Sequence, residues 1–294
     1  MINKGIILAG GKGTRLSPIT KSTNKQLLPI YDKPLFFYPL SILMLANIRN
    51  ILLIINKGQK KNFINVVGDG RHLGLKISYE EQLKPTGIPE AFKLGKKFIG
   101  KSNVSLILGD NFFYGQSLTE LLQTTKVFKK GCTVFLKGVS KPENYGVAKI
   151  KDKKIVEIIE KPKKFISDKA ITGLYFFDNH VVQIAHKLKP SKRKETEIVD
   201  VIKNYKKRNC LNFIELGRGA IWSDAGKIDD FTNISNFVTS VEKVQGIKIA
   251  CLDEIAYQKK WITKKQILKN IKFYGECPYS NYLRKIINNE NSKN

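Results

Sequence analysis

The sequence predicts an α/β protein: a mostly parallel sheet with helices on both faces, then a β-rich portion, then a helical C-terminal region. Three observations predict it. Short apolar runs at residues 5–9, 50–55, 75–79, 104–108 and 132–139 alternate with stretches of helical character at 39–48, 58–67, 89–98 and 118–128, the rhythm of strand–helix–strand units. From Tyr145 the texture turns to short β segments separated by turns. After Lys227 the pattern becomes largely helical, most clearly at 228–241 and 263–272.

The elements follow in order. GIILA at 5–9, NILLII at 50–55 and VSLIL at 104–108 carry apolar residues at consecutive positions, as strands buried on both faces do. VAKI, KIVEIIEK and ITGLYFF supply the β-rich portion, and helices are expected near 179–188 and 197–207. No repeat or long linker interrupts the chain, so its parts are expected to share one core.

Composition narrows the function classes. A chain of 294 residues has room for a sizeable core. Cys132, Cys210, Cys251 and Cys277 are scattered without CxxC pairing, which fits a reduced compartment and argues against zinc. No apolar run approaches the roughly 18 residues of a membrane span, and strand character begins too early for a signal peptide, so a cytoplasmic protein is expected. Lys and Arg number 52 against 25 Asp and Glu, a formal charge of +27. The basic clusters are dispersed and no nucleic-acid module accompanies them, so a nucleic-acid partner is not expected.

The chemistry-bearing segment is LAGGKGTRLSP at 8–18, followed by KQLLP at 25–29. Gly10, Gly11 and Gly13 fall on the turn leaving the carboxyl end of the first strand, where glycine lets backbone N–H groups close on phosphate oxygens. Thr14 adds a hydroxyl and Arg15 a guanidinium suited to phosphate. The dinucleotide fingerprint fails because its third glycine position is Leu16. The P-loop fails because Ile6 stands where its first glycine belongs and Gly13 where Ser or Thr belongs. Parallel sheets bind ligands outside the carboxyl ends of their strands, where Gly10, Asp110 and the loop after Tyr79 all emerge. Asp110, directly after the 104–108 run, suits magnesium, which takes one or two carboxylates plus phosphate oxygens and water.

A longer ordered pattern runs through the chain. LAGGKGTRL at 8–16 is followed by KQLLPIYDKP at 25–34, LMLANIRNILLI at 43–54, LGDNFFYG at 108–115, ENYGV at 143–147, EKP at 160–162, TGLYFFD at 172–178, ETEIVDV at 195–201 and DEIAYQKKWI at 253–262. It resembles the sugar-nucleotidyltransferases, and among them the enzymes that join a thymidylyl group to glucose 1-phosphate.

The resemblance implies a Rossmann-like nucleotide-binding sheet within a core at 1–227, its nucleotide half reaching about residue 140 and its sugar-binding half covering 141–227. It implies a regulatory and oligomer-forming region at 228–294 and a homotetramer. The substrates implied are dTTP and glucose 1-phosphate, the cofactor Mg2+, and the products dTDP-glucose and pyrophosphate, opening dTDP-rhamnose-type deoxysugar synthesis. Catalysis is implied for Arg15, Lys25 and Asp110. Leu8, Gly10, Gly11, Gly13 and Thr14 join Arg15 and Asp110 around the nucleotide, with Gln26, Gln82 and Gly87 at the base. Tyr145, Gly146, Glu160, Lys161, Thr172, Arg193 and Trp222 surround the sugar phosphate, and Asp224 joins Asp110 as a metal ligand. A separate regulatory site is implied near Tyr114, Gly115, Arg218, Glu254 and Gln258.

Departures from the family pattern carry expectations of their own. Ser223 and Ala225 flank Asp224 where relatives read Leu and Thr, which could loosen that carboxylate. Leu83, Thr86, Pro89 and Glu90 change the loop that follows Gln82, which leaves uridylyl transfer as an alternative. Gln258 replaces an arginine, which implies weakened end-product inhibition. A non-catalytic nucleotide-binding protein is the remaining alternative, and the joint presence of Arg15, Lys25, Asp110 and Asp224 argues against it.

Overall fold

A computed structural model of the chain describes residues 1–11, 13–127 and 130–289. Its nine-stranded sheet has the order Lys154–Glu160, Gly146–Lys151, Lys169–Phe177, Asn103–Leu108, Ile2–Ala9, Asn50–Asn56, Lys76–Gln82; Cys132–Gly138 also pairs with Lys169–Phe177, and Leu211–Glu215 with Cys132–Gly138. Lys154–Glu160 and Lys169–Phe177 run opposite to the other seven strands. The sheet is therefore mostly parallel, as expected.

Successive apolar residues serve opposite faces. Ile7 and Leu53 pack with Leu40 and Leu43 of the Phe37–Leu45 helix and with Leu252, Ile271 and Leu283 of the C-terminal helices. Ile6 and Leu52 pack on the other side with Phe92, Ile184 and Val201. Each such side chain contributes about 1.5–3 kcal/mol when fully buried, which makes the double covering the main source of stability.

The expected helices form with shifted bounds. The one predicted at 89–98 is broken into Glu90–Leu94 and Lys96–Ile99, with Gly95 so close to the sheet that a β-carbon there would lie 2.9 Å from Ile6 Cδ1. The one predicted at 118–128 spans Leu118–Thr125; residue 128 lies outside the described residues, as do residue 12 of the glycine loop and the last five residues of the predicted C-terminal region. That region contains Ile228–Gln245, Leu252–Gln258, Lys264–Tyr274 and Pro278–Asn289. Buried Asp253 ties three of these helices together, accepting hydrogen bonds from Asn270 Nδ2 at 2.6 Å, Tyr279 at 3.0 Å and Tyr274 at 3.2 Å.

The strands Pro29–Ile30 and Lys33–Pro34 form a ribbon directly after the Lys25–Leu27 turn. Lys33, 3% exposed, pairs with Asp32 and, at 3.1 Å, with Glu242 of the Ile228–Gln245 helix. Lys248 pairs with the same two carboxylates, and Glu242 also accepts the Ile249 N–H at 2.9 Å. Two cations and two anions thus fasten this helix to the segment that carries Lys25. Glu242→Ala leaves both lysines sharing one carboxylate and is expected to lower unfolding free energy by about 3 kcal/mol in chemical denaturation, with Glu242→Gln less affected.

Candidate active site at the strand ends

The pairings Ala9 with Ile55, Leu8 with Leu108 and Asn56 with Gln82 bring the carboxyl ends of four parallel strands to one edge. The glycine loop leaves the sheet there. A cleft of about 340 Å³ opens beside it, lined on the loop side by Leu8, Gly10, Gly11, Arg15, Gln82 and Gly87 and on the far side by Tyr145, Gly146, Glu160, Lys161, Arg193, Trp222 and Asp224. An adjoining depression of about 200 Å³ collects Gly13, Thr14, Lys25, Gln26 and Asp110 around the same loop. Sequence positions more than 200 apart thus meet at one strand edge.

Lys25 is the buried cation of the site, 7% exposed. Its ammonium meets Asp110 Oδ2 at 2.7 Å and reaches the Asp224 carbonyl at 3.5 Å. Burial pushes the Asp224 carboxyl above its ordinary range, the Asp110 charge adds to the push, and Lys25 opposes it. Arg15 arches over Gly226, where a β-carbon would lie 3.1 Å from Arg15 Nη2 and 3.3 Å from Asp224 Oδ1. Two carboxylates and two cations therefore face the glycine loop.

Sequence reasoning missed Asn111. This fully buried residue donates from Nδ2 to Asp110 Oδ1 at 3.0 Å, while its Oδ1 accepts the Trp222 Nε1–H at 2.7 Å and the Gly173 N–H at 3.0 Å. It fixes the rotamer of Asp110 and ties it to Trp222 across the cleft. Its place directly after Asp110 was the available signal. Asn56, whose carboxamide grips Gly11, was missed as well.

At the base end, Gln26 is 3% exposed and donates to the Gly10 carbonyl at 3.3 Å, and Gln82 Oε1 lies 2.4 Å from where a β-carbon on Gly10 would be. The two glutamines thus flank Gly10. Gly87 has φ +114, and a β-carbon on it would come within 2.0 Å of the Thr196 carbonyl, so no other residue fits. Through this approach and the Thr196 N–H to Thr86 bond of 2.8 Å, the altered loop is pinned to the far wall of the cleft.

At the sugar end, the Tyr145 and Trp222 rings lie 5.0 Å apart, and burial, aided by the Asp224 charge, pushes the Tyr145 hydroxyl up to about 12. Arg193 forks onto Glu197 at 3.1 and 2.9 Å and approaches Glu195 at 3.6 Å and Glu160 at 3.8 Å. Burial and the Glu197 charge raise the Glu160 carboxyl, against the pull of Arg193 and Lys161. In the sequence Glu195 and Glu197 stand out only as part of the ETEIVDV motif. Ile171 and Gly173 line the cleft; Thr172 between them is fully enclosed, its hydroxyl without a partner among the described residues.

The residues expected to form a regulatory site have separate partners. Tyr114 reaches Gln245 at 3.5 Å and stacks edgewise on Phe237, and Gly115 abuts Ala220 beside exposed Arg218. Glu254 instead accepts from Gln258 at 3.1 Å and from Tyr282 at 2.8 Å.

A sheet carrying a glycine phosphate loop, a buried lysine and paired aspartates at its strand ends defines a nucleotidyl-transferring enzyme, and the chain belongs to the nucleotidyl transferase family, whose model matches residues 4–241. It is 45% identical over 285 residues to the glucose-1-phosphate thymidylyltransferase of Neisseria meningitidis, covering 97% of this chain and 99% of that one. It is 41% identical, with the same coverage, to the enzyme of that name from Mycobacterium tuberculosis. Among solved structures it resembles UDP-glucose pyrophosphorylase complexed with UDP-glucose, with a TM-score of 0.71 and 25% identity over 82% of this chain and 99% of that one. Among the described residues no helix is long and apolar enough to cross a membrane.

The raised Asp224 carboxyl has a consequence for stability. Because its folded-state value lies above the ordinary 3.8, the ionised form disfavours the fold, and this penalty disappears as the pH falls through that range. Asp224→Asn is expected to raise Tm near pH 7 by roughly 1–3 °C, with the gain over the unsubstituted protein shrinking as the pH approaches 4. A lower Tm for the variant at pH 7 would show that the buried charge is fully compensated.

Proposed function

We propose that the protein transfers the thymidylyl group of dTTP to α-D-glucose 1-phosphate, with Mg2+ as cofactor, giving dTDP-glucose and pyrophosphate. The observation that carries this reading is the convergence of Arg15, Lys25, Asp110 and Asp224 on the glycine loop, beside a pocket walled by Tyr145, Glu160, Lys161 and Arg193. The names of relatives at 41–45% identity over nearly the full chain support the same substrates.

In this reaction a phosphate oxygen of the sugar attacks the α-phosphorus, and the bond to pyrophosphate breaks as the new one forms. No protein nucleophile is needed. Both reactants are anions, so the side chains must hold them in line and offset the charge of the transition state. Arg15 suits the transferred and departing phosphoryl groups, with the loop N–H groups other than that of Gly11, which Asn56 holds; Lys25 suits the α-phosphate, and Lys161 and Arg193 the sugar phosphate. Glu160 can accept two sugar hydroxyls.

The donor set suits magnesium. Asp110 and Asp224 offer hard oxygen ligands, and the burial and mutual repulsion that raise the Asp224 carboxyl are what a divalent cation relieves. Among the described residues no group of three or more metal-ligating side chains occurs, so phosphate oxygens and water must complete the shell. Bound there, the ion supplies charge neutralisation to the triphosphate.

A second reading keeps the reaction and widens the nucleotide. Leu83 in the altered base loop is 76% exposed, and the likeness to UDP-glucose pyrophosphorylase extends over most of the fold. Thymine and uracil differ by one methyl group, worth about 1–3 kcal/mol of discrimination at most.

Pyrophosphate release with glucose 1-phosphate, measured side by side with dTTP, UTP, ATP, CTP and GTP, is expected to be strongest with dTTP and abolished by chelator; strongest release with UTP would replace the leading reading by the second. Arg15→Ala, Lys25→Ala and Asp110→Ala are each expected to lower turnover by at least about 100-fold while circular dichroism stays unchanged. If the product feeds dTDP-rhamnose synthesis, uncharged Gln258 weakens the grip on an end-product phosphate, and Gln258→Arg is expected to lower the inhibition constant for dTDP-rhamnose severalfold.

A further inference from the structure

We propose that Asn56 is the positioning residue of the glycine loop, holding Gly11 so that its carbonyl stays clear of the bound triphosphate; the proposal rests on the nucleotidyl transfer argued above. Asn56 ends the strand that runs parallel to the first, one residue beyond the last pairing of Ala9 with Ile55. It therefore stands beside the loop at the point where the loop leaves the sheet. There its side chain takes over the ladder: Oδ1 accepts the Gly11 N–H at 3.0 Å, and Nδ2 donates to the Gly11 carbonyl at 2.7 Å.

Gly11 needs such a grip. It has φ +104, no side chain of its own, and nothing within 4 Å of where a β-carbon would stand. Packing therefore cannot fix its peptides, and glycine by itself leaves many orientations open. A carbonyl oxygen carries partial negative charge, so one turned into an anion cradle would repel the phosphates.

Two depressions border the loop at Gly11. The phosphate cradle is formed by Gly10, Gly11, Arg15, Lys25 and Asp110. Asn56 lines a separate depression behind the loop, with Gly11, Thr14 and Thr20. Gly11, Thr14 and Lys25 border both depressions, and Asn56, which lines only the second, holds the Gly11 N–H and carbonyl from that side.

Two substitutions test the proposal. Asn56→Ala removes both hydrogen bonds. Asn56→Asp keeps an acceptor for the Gly11 N–H, but when ionised it has no donor for the carbonyl; when protonated it again resembles the carboxamide. Magnesium–dTTP affinity, measured by calorimetry without sugar, is expected to weaken roughly tenfold in both, while KM for glucose 1-phosphate stays within about twofold.

Triphosphate affinity and KM within twofold of the unsubstituted protein in both variants would overturn the proposal. So would an equal weakening toward triphosphate and sugar phosphate, which marks a general loosening of the cleft. If the unsubstituted protein binds dTTP but transfers nothing, the proposed function fails, and the affinity comparison still decides the role of Asn56.

Discussion

The ion pair between Lys25 and Asp110, 2.7 Å long and centred on a lysine only 7% exposed, is the constraint on which the site depends. Two carboxylates brought together at the strand ends repel each other, and the Asp224 carboxyl is raised first by burial and then by the Asp110 charge. An ammonium within reach of both residues makes their proximity tolerable, and removing one partner of such a buried pair strands the other's charge. The turn that carries Lys25 is correspondingly overdetermined. Asn24 caps it by accepting the Gln26 N–H at 2.9 Å, Gln26 ties it to Gly10, and the ribbon after it is clamped to the Ile228–Gln245 helix through Lys33, Asp32, Glu242 and Lys248. A distant helix thereby fixes the position of the central cation.

Asn111 performs the same service for the anion. With one carboxamide it orients Asp110, receives Trp222 and closes on Gly173. Gly173 lies where the pairing of Lys169–Phe177 with Cys132–Gly138 slips between Ile171 and Tyr175. Along its other edge the same strand passes from Gly146–Lys151 to Asn103–Leu108. The cleft opens at this change of partners. The reversed strand at the centre of the sheet is thus what lets the parallel strands that carry the glycine loop and the hairpin-built opposite wall of the cleft face one another.

What was legible in the sequence follows from distance along the chain. The apolar runs, the glycine turn after the first of them, and Asp110 after another are local signals, and strand ends meet wherever parallel strands share a register. Lys25, Asp224 and the sugar-side residues were legible only through an ordered likeness to known enzymes. Contacts that side chains make across long stretches of chain left no trace of either kind. Asn56 grips Gly11 across 45 positions, Asn111 meets Trp222 across 111 and Lys33 meets Glu242 across 209. The closeness of the sheet at Gly95 was equally hidden, because the Ile6 side chain that approaches it lies far away in the sequence.

The charge of the chain sharpens the distinction between attraction and selection. A formal +27 favours every polyanion and distinguishes none. The cleft is arranged differently from the composition as a whole. Asp224, Glu160, Glu195 and Glu197 all line it, and Arg193 stands among three of them with its guanidinium forked onto Glu197. A guanidinium held in that way presents a fixed face to an incoming phosphate, so less freedom is lost on binding than from a loose lysine. The carboxylates left over are hydrogen-bond acceptors in a confined space, and a ligand without matching hydroxyls would leave them desolvated and unpaired. A site built to satisfy polar groups rejects the incomplete ligand far more sharply than an apolar pocket does. In the proposed reaction, selection of the sugar therefore rests on the few acidic residues of a basic protein.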